Sequence, residues 1–336
     1  MDVINLKKLA EQLNLSVSTV SKAFRNSYDI NPKTRERILS LARELNYQPN
    51  PLASSLRTQK SRTIAVILPE IANNFFTQAI NGIESVAQEY GYHVLIYLTH
   101  EDHEKEVDFT QHLQSGRVDG LLMSLSAGLR ESSHLDQLRE KGIPVVFFDR
   151  IYEGSATTKV TTNDYESGYQ ATKHLIEQGC KKILHLTTSK TLSISVKRMD
   201  GYIQALKDNS MAPDKKFIVS CTNNSEKDEQ LIIEAMKKIK PDGIFSGFER
   251  LAVLSYKACA ALKLSIPKNI KIISFSNLET ASLLNPSLTT ITQPAFEIGE
   301  RAASALFKAL EKKTIDIPNE HIVINSTLIK RKSTEK

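Results

Sequence analysis

A run of small polar residues with one cation lies near the start of the chain, in the sequence Leu-Ser-Val-Ser-Thr-Val-Ser-Lys that ends at Lys22. At helical spacing Val17, Ser18, Ser21 and Lys22 share one face, and Val20 lies on the opposite face. Small hydroxyl side chains and an amine on a short helix suit contacts with base edges in a DNA major groove. The run therefore predicts a recognition helix. Spacing alone leaves open a plain three-helix bundle with solvated basic faces.

A second set of polar and aromatic residues follows apolar runs in the body of the chain. Carboxylates and a guanidinium group accept and donate in pairs, and aromatic rings provide a flat wall, so this combination suits a polyhydroxyl ring or a base. Alternatively, Asp149 and Arg198 form a structural ion pair and Phe75 belongs to the core. We expect the ligand-binding residues to be Asn74, Phe75, Asp149, Arg198, Glu249 and Ser276.

The chain lacks the motifs that mark common enzymes. It has no GxGxxG, P-loop, GxSxG or HExxH run, and its eight histidines and three cysteines show no metal-ligand spacing. We therefore expect no catalytic activity, no metal and no cofactor.

The positive charge is concentrated at the start of the chain. Residues 1–60 contain ten Lys and Arg against five Asp and Glu, whereas the remaining 276 residues contain 34 against 33. A basic segment followed by a nearly neutral body is typical of a protein that contacts nucleic acid at one end.

Length and apolar patterning limit the class of protein further. A chain of 336 residues predicts two or three compact units. No apolar run approaches the roughly 18 residues that span a bilayer, and the first residues lack the layout of a signal peptide. We expect a cytoplasmic protein without a membrane partner.

The first sixty residues divide into short helices. Apolar spacing predicts a helix over 5–13, a second that Ser16 caps, and a third that begins at Asn31-Pro32. A fourth begins at Asn50-Pro51 and is too short to be stable alone. We expect it to fold only with a partner helix and DNA, where Leu56 enters a minor-groove base step.

From residue 63 onward, short β-rich runs alternate with amphipathic helical stretches. This alternation predicts parallel sheets covered on both faces, and its length favours two Rossmann-like lobes with a ligand cleft between them. The strand candidates are 63–69, 93–99, 120–125, 144–149, 182–188, 243–247 and 271–276.

The first 57 residues resemble the headpiece and hinge of the LacI/GalR family of bacterial regulators. The resemblance rests on Leu9-Ala10, the run from Leu15 to Lys22, Thr34-Arg35-Glu36, Leu45 to Asn50 and Ala53 to Arg57. It implies an all-α helix-turn-helix domain at 1–49 and a hinge helix and linker at 50–62. It also implies an α/β core of two lobes at 63–336, with the fold of periplasmic binding proteins.

The resemblance also implies roles for single residues. Val17, Ser18 and Lys22 would read bases, although a valine can meet only a thymine methyl group. The phosphate and sugar contacts would come from Asn5, Ser16, Thr19, Ser21, Thr34 and Tyr47, and the minor-groove contacts from Ala53 and Leu56. In the core the chain would cross between lobes near 161, 291 and 321, which gives one lobe of 63–161 and 292–321 and another of 162–291 and 322–336.

Two positions depart from the family pattern. Glu249 stands in Phe248-Glu249 where relatives have Asn-Asp, and Ser276 stands where relatives have an acidic residue that grips ligand hydroxyls. We therefore hypothesise that the effector is not an ordinary free monosaccharide, or that it binds weakly.

The expected function is an effector-controlled repressor that binds a palindromic operator as a homodimer. A core that only dimerises, or that responds to a non-sugar ligand or a protein partner, is the alternative. A transport-type binding protein is disfavoured by the basic headpiece.

Overall fold

The computed structural model describes residues 5–24, 29–47, 60–127, 133–189, 191–312 and 317–335. The predicted hinge helix, with Ala53 and Leu56, lies outside these residues. The chain divides into two compact units, Met1–Ser61 and Arg62–Lys336.

The first unit contains three helices, α1 (Leu6–Leu13), α2 (Val17–Phe24) and α3 (Pro32–Glu44). The side chain of Asn5 accepts the Lys8 backbone N–H and caps α1. Leu9, Val20 and Ile38, one from each helix, are completely buried against one another. The first three predicted helices and their inward faces are confirmed.

The second unit contains twelve described strands. They are β1 (Thr63–Leu68), β2 (His93–Leu98), β3 (Gly120–Met123), β4 (Val145–Phe148), β5 (Lys159–Thr162), β6 (Ile183–Thr187), β7 (Ile218–Ser220), β8 (Gly243–Ser246), β9 (Lys271–Phe275), β10 (Thr289–Thr292), β11 (His321–Ile324) and β12 (Thr327–Ile329). They form two six-stranded sheets of order β11-β5-β4-β3-β1-β2 and β12-β10-β9-β8-β6-β7. All pairs are parallel except β10 with β12.

Helices cover both faces of each sheet, as the alternating pattern predicts. These helices are α4 (Asn74–Glu89), α5 (His103–Leu113), α6 (Ser133–Glu140), α7 (Asp164–Glu177), α8 (Ser193–Asp208), α9 (Ser225–Ile239), α10 (Glu249–Ala261) and α11 (Ala295–Lys312). Apolar residues of α4 and α11 pack on one face of the first sheet and those of α5 and α6 on the other. In the second sheet α7 and α8 share one face and α9 and α10 the other.

The chain crosses between the two lobes after β5, β10 and β11. The first two crossings follow Thr162 and Thr292, one residue beyond the predicted positions. The third was predicted near 321 and lies a few residues later, because the whole of β11 pairs with β5 in the first lobe, from His321 opposite Lys159 to Ile324 opposite Thr162. A crossing at 321 would leave these backbone groups without ladder partners, so the chain crosses only between Ile324 and Thr327.

No helix in the described parts of the chain is long and apolar enough to span a membrane.

Candidate functional site

The candidate DNA-contacting surface is the exposed face of α2. The Ser16 hydroxyl accepts the Thr19 backbone N–H at 3.1 Å, and its oxygen lies 2.8 Å from the hydroxyl oxygens of both Ser18 and Thr19. Val17 is 43% exposed beside them. The cap thus orders three hydroxyl groups at the N-terminal end of α2, where a partner can approach them.

Lys22 forms an ion pair with Asp29, and both side chains are largely exposed. The sequence analysis did not anticipate this pair, because Asp29 follows the helix and shares no helical face with Lys22. To contact a base, the Lys22 ammonium group would have to leave the Asp29 carboxylate or contact both groups at once.

The other predicted DNA-contacting residues lie within the three helices or next to their ends. Asn5 is occupied as a cap, Ser21 and Thr34 are half-buried, and Tyr47 packs on Phe24 with ring centroids 5.6 Å apart. Burial raises the pKa of Tyr47 above its ordinary value. The Tyr47 ring therefore also contributes to the packing of this unit.

A cavity lies between the two lobes of the core. Five of the six predicted ligand-binding residues line it, namely Phe75, Asp149, Arg198, Glu249 and Ser276. The residues come from both lobes because the carboxyl ends of the strands in each sheet face the cleft.

Arg198 is held rigidly in this cavity. Its Nε donates to Asp164 Oδ1 at 2.7 Å, and a terminal nitrogen donates to the Gly247 carbonyl at 2.6 Å. The guanidinium carbon lies 3.7 Å from the centroid of the Phe275 ring. The structural ion-pair partner of Arg198 is therefore Asp164, at the start of α7. The sequence analysis did not predict this pair.

Asp149 is buried in a strained backbone conformation, with φ of 59°. Its nearest cation is Arg150, whose Nε lies 3.9 Å from Asp149 Oδ2. Burial raises the Asp149 pKa to about 6, although the positive charges of Arg150 and Arg198 oppose the shift. The carboxyl group therefore changes between its neutral and charged forms near pH 6.

Arg150 lines the same cavity and has its own carboxylate partner. A terminal nitrogen donates to Glu101 Oε1 at 2.6 Å, while Glu101 Oε2 accepts the Ala127 backbone N–H at 2.9 Å. The position of Arg150 directly after Asp149 at a strand end was the available sequence signal. Glu101 gave no such signal.

Glu249 and Ser276, the two unusual positions, contact each other. Ser276 Oγ donates to Glu249 Oε2 at 2.8 Å, and the Asn277 backbone N–H donates to the same oxygen at 3.0 Å. Glu249 Oε1 accepts from Asn74 Nδ2 of the other lobe at 2.9 Å. The sixth predicted residue, Asn74, therefore contacts the site through Glu249 and links the two lobes.

A second cavity of about 200 Å³ adjoins the first and shares Asn73, Arg150, Phe248 and Glu249 with it. The shared walls make the cleft longer than the inner cavity alone.

Family models match almost the whole chain. Residues 61–334 match the model of periplasmic binding proteins and the sugar binding domain of the LacI family, and residues 5–50 match the bacterial regulatory proteins of the lacI family. The chain belongs to the LacI family. This LacI-family protein is a DNA-binding transcription regulator, as the sequence analysis predicted, and not an enzyme.

Named relatives agree with this assignment over their full lengths. The regulator is 30% identical to the ribose operon repressor of Halalkalibacterium halodurans over 96% of each chain. It is 32% identical to the HTH-type transcriptional repressor PurR of Vibrio atlanticus over 92% of each chain. The lac repressor dimer bound to operator and the anti-inducer ONPF has the same fold, with a TM-score of 0.86, 20% identity and complete coverage of both chains.

Proposed function

We propose that this LacI-family regulator is a repressor whose operator affinity is controlled by a small polar, carbohydrate-related effector bound between the core lobes. The observation that carries the proposal is the cavity that Asp149 and Arg198 line together with residues of both lobes. A ligand that contacts both lobes favours one lobe arrangement over another, which couples its binding to a distant site. Both named relatives are repressors, which supports repression as the effect of this regulator on transcription.

The DNA contacts that we propose are those of the exposed α2 face, the flanking caps, and Ala53 and Leu56. A helix-turn-helix module reads few base pairs, so a palindromic site and a two-fold dimer follow from the need for specificity. Because its target is chromosomal DNA, we place the protein in the cytoplasm.

The apolar edge of the first sheet supports a homodimer. On edge strand β2, Leu95 and Ile96 are 42% and 39% exposed. Exposed apolar edge strands are normally covered by a partner. A second copy of the chain is the partner that a palindromic operator requires.

The test uses the full-length protein and operator fragments selected from the genome of its own bacterium. Operator affinity is measured by fluorescence anisotropy with and without panels of sugars, oligosaccharides and nucleobases. In an Arg198→Ala variant we expect the response to the active compound to be lost while operator affinity without it persists. Arg301→Ala, at an exposed arginine of α11, is the matched control. An Arg198→Ala variant that responds like the natural chain would contradict the site assignment.

A further inference from the structure

Both guanidinium groups that line the inner cavity are already neutralised. Arg198 is paired with Asp164 at 2.7 Å, and Arg150 with Glu101 at 2.6 Å. These are short charge-assisted hydrogen bonds between largely buried groups, so an incoming anion would have to compete with protein carboxylates for either arginine.

Among the described contacts, neither carboxylate in the lining accepts a hydrogen bond from a cationic group. Glu249 accepts hydrogen bonds from Asn74, Ser276 and Asn277, all of them neutral donors. Asp149 lies 3.9 Å from the nearest guanidinium nitrogen, beyond hydrogen-bond distance.

The charges around the inner cavity are therefore unbalanced. Of the residues that the structure describes, four carboxylates (Glu101, Asp149, Asp164 and Glu249) surround it with two guanidinium groups (Arg150 and Arg198). This leaves two negative charges in excess when all groups are ionised, although the chain as a whole carries +6.

The wall of the outer cavity adds one further unbalanced carboxylate, that of Glu70. Glu70 lies in its wall and accepts a hydrogen bond only from the neutral amide of Asn73, at 3.2 Å, among the contacts described for it. Arg250 in the same wall is paired with Asp228 at 2.7 Å. The negative excess thus extends along the described part of the cleft.

We propose that the effector is cationic, a small hydroxylated amine whose protonated nitrogen is bound by the carboxylates of Asp149 and Glu249. The inference rests on the proposed effector site and specifies what that site selects. A protonated amine would neutralise carboxylates that folding has removed from water, whereas a phosphorylated or carboxylated ligand would add to the negative excess.

Ser276 fits this selectivity. A carboxylate at that position would add another negative charge, whereas the serine hydroxyl donates to Glu249 and orients it.

The first experiment is isothermal titration calorimetry on the full-length protein at pH 7. The probes are glucosamine, galactosamine and mannosamine, each with its neutral parent hexose and the corresponding hexose 6-phosphate. We expect at least one amino sugar to bind about tenfold or more tightly than its parent, and no binding of the phosphates. Equal or tighter binding of a parent or a phosphate would overturn the inference, and so would the absence of binding by every amine.

The proposed function is tested separately, by measuring operator affinity in the same buffer. If a neutral or anionic compound changes operator affinity, the proposed function stands and only the cationic effector fails. If an amine binds selectively but no compound of any charge changes operator affinity, the proposed function fails and the charge selectivity of the site stands.

The second experiment uses Glu249→Gln, which removes the charge and retains a side-chain oxygen that can accept hydrogen bonds. We expect the ratio of amine affinity to parent-hexose affinity to fall by about tenfold. Loss of the contact between the lobes alone would not change this ratio, because the affinities for both ligands would fall together. Glu226→Gln, at an exposed position in the first turn of α9, is the control and should keep the ratio. An unchanged ratio in Glu249→Gln would overturn the role of this carboxylate.

Discussion

Single residues in this regulator are held in states that differ from those of the same residues in water. Asp149 is a carboxyl group whose burial raises its pKa to about 6. Lys22 is an exposed cation already paired with Asp29. The affinity of each side chain for a charged partner therefore depends on the groups that now surround it.

Asp149→Asn should stabilise the ligand-free protein above neutral pH. Because the folded-state pKa lies above the 3.8 of an exposed Asp, the folded protein binds the proton more tightly than the unfolded chain. This stabilisation is present below about pH 4 and is lost as the pH rises through 6. Asparagine does not titrate, so the variant's advantage should approach about 3 kcal/mol at pH 8 and disappear near pH 4. Urea denaturation from pH 4 to 8 measures it. Equal stability at pH 8 would show that Asp149 is not desolvated.

Lys22→Met should weaken operator binding about tenfold to a hundredfold and leave the fold intact. The methionine retains an apolar stem but removes the ammonium group that would contact a base edge, a contact worth about 1–3 kcal/mol. The readout is the ratio of affinities for operator and scrambled DNA at fixed salt. Arg43→Met, in the last turn of α3 and outside the predicted contacts, should keep this ratio. A preserved ratio in Lys22→Met would remove Lys22 from direct readout.

The packed pair of helices α4 and α11 positions one wall of the ligand site. Helix α4 begins at Asn74 and Phe75 in the cleft and packs along α11 through two glycines. A Cβ on Gly82 would lie 2.1 Å from the Phe296 carbonyl oxygen, and one on Gly299 would lie 2.0 Å from that of Ala79. This close approach fixes α4 against the first sheet and thereby fixes the cleft end of the helix.

Gly82→Ala should therefore destabilise the core, although alanine has the higher helix propensity. The clash is with backbone atoms, which cannot rotate away, so we expect a loss of about 3 kcal/mol or more. Chemical denaturation measures it. Glu84→Ala, at an exposed position of the same helix, should change the stability by no more than about 0.5 kcal/mol. A stable Gly82→Ala variant would mean that α4 and α11 can separate at little cost.

The whole molecule combines a basic DNA-binding unit with a nearly neutral sensing core, and the proposed dimer would connect them to a two-fold operator. The exposed apolar edge at β2 is the part of the core that a second copy would cover.

Leu95→Lys should shift the protein from dimer to monomer at micromolar concentration, because a charge would be buried in an apolar contact. Sedimentation velocity measures the shift, and operator affinity should fall with it since two linked headpieces bind more tightly than one. Val323→Lys provides the matched control, because Val323 is an exposed apolar residue on the opposite edge strand of the same sheet. A Leu95→Lys variant that remains dimeric would place the interface elsewhere.

The sequence by itself determined the elements and the class of protein. Apolar periodicity predicted the three headpiece helices and seven of the described strands, because helices and strands leave different spacings of apolar residues. It gave no strand for Lys159–Thr162, Ile218–Ser220, Thr289–Thr292, His321–Ile324 or Thr327–Ile329, which have three or four residues and depend on neighbours in the sheet for their hydrogen bonds. The shift of the third crossing to beyond Ile324 has the same cause.

Only the tertiary structure decided the partners of the cleft residues. Asp149, Arg198 and Glu249 were found from their places at strand ends, but the pairing of Arg198 with Asp164 and of Arg150 with Glu101 joins residues 34 and 49 positions apart. The link between Asn74 and Glu249 spans 175 positions. Such contacts leave no local pattern in a sequence, because packing brings the groups together. The charge that an effector meets in the cleft is therefore a property of the folded chain, and it differs in sign from the net charge of the sequence.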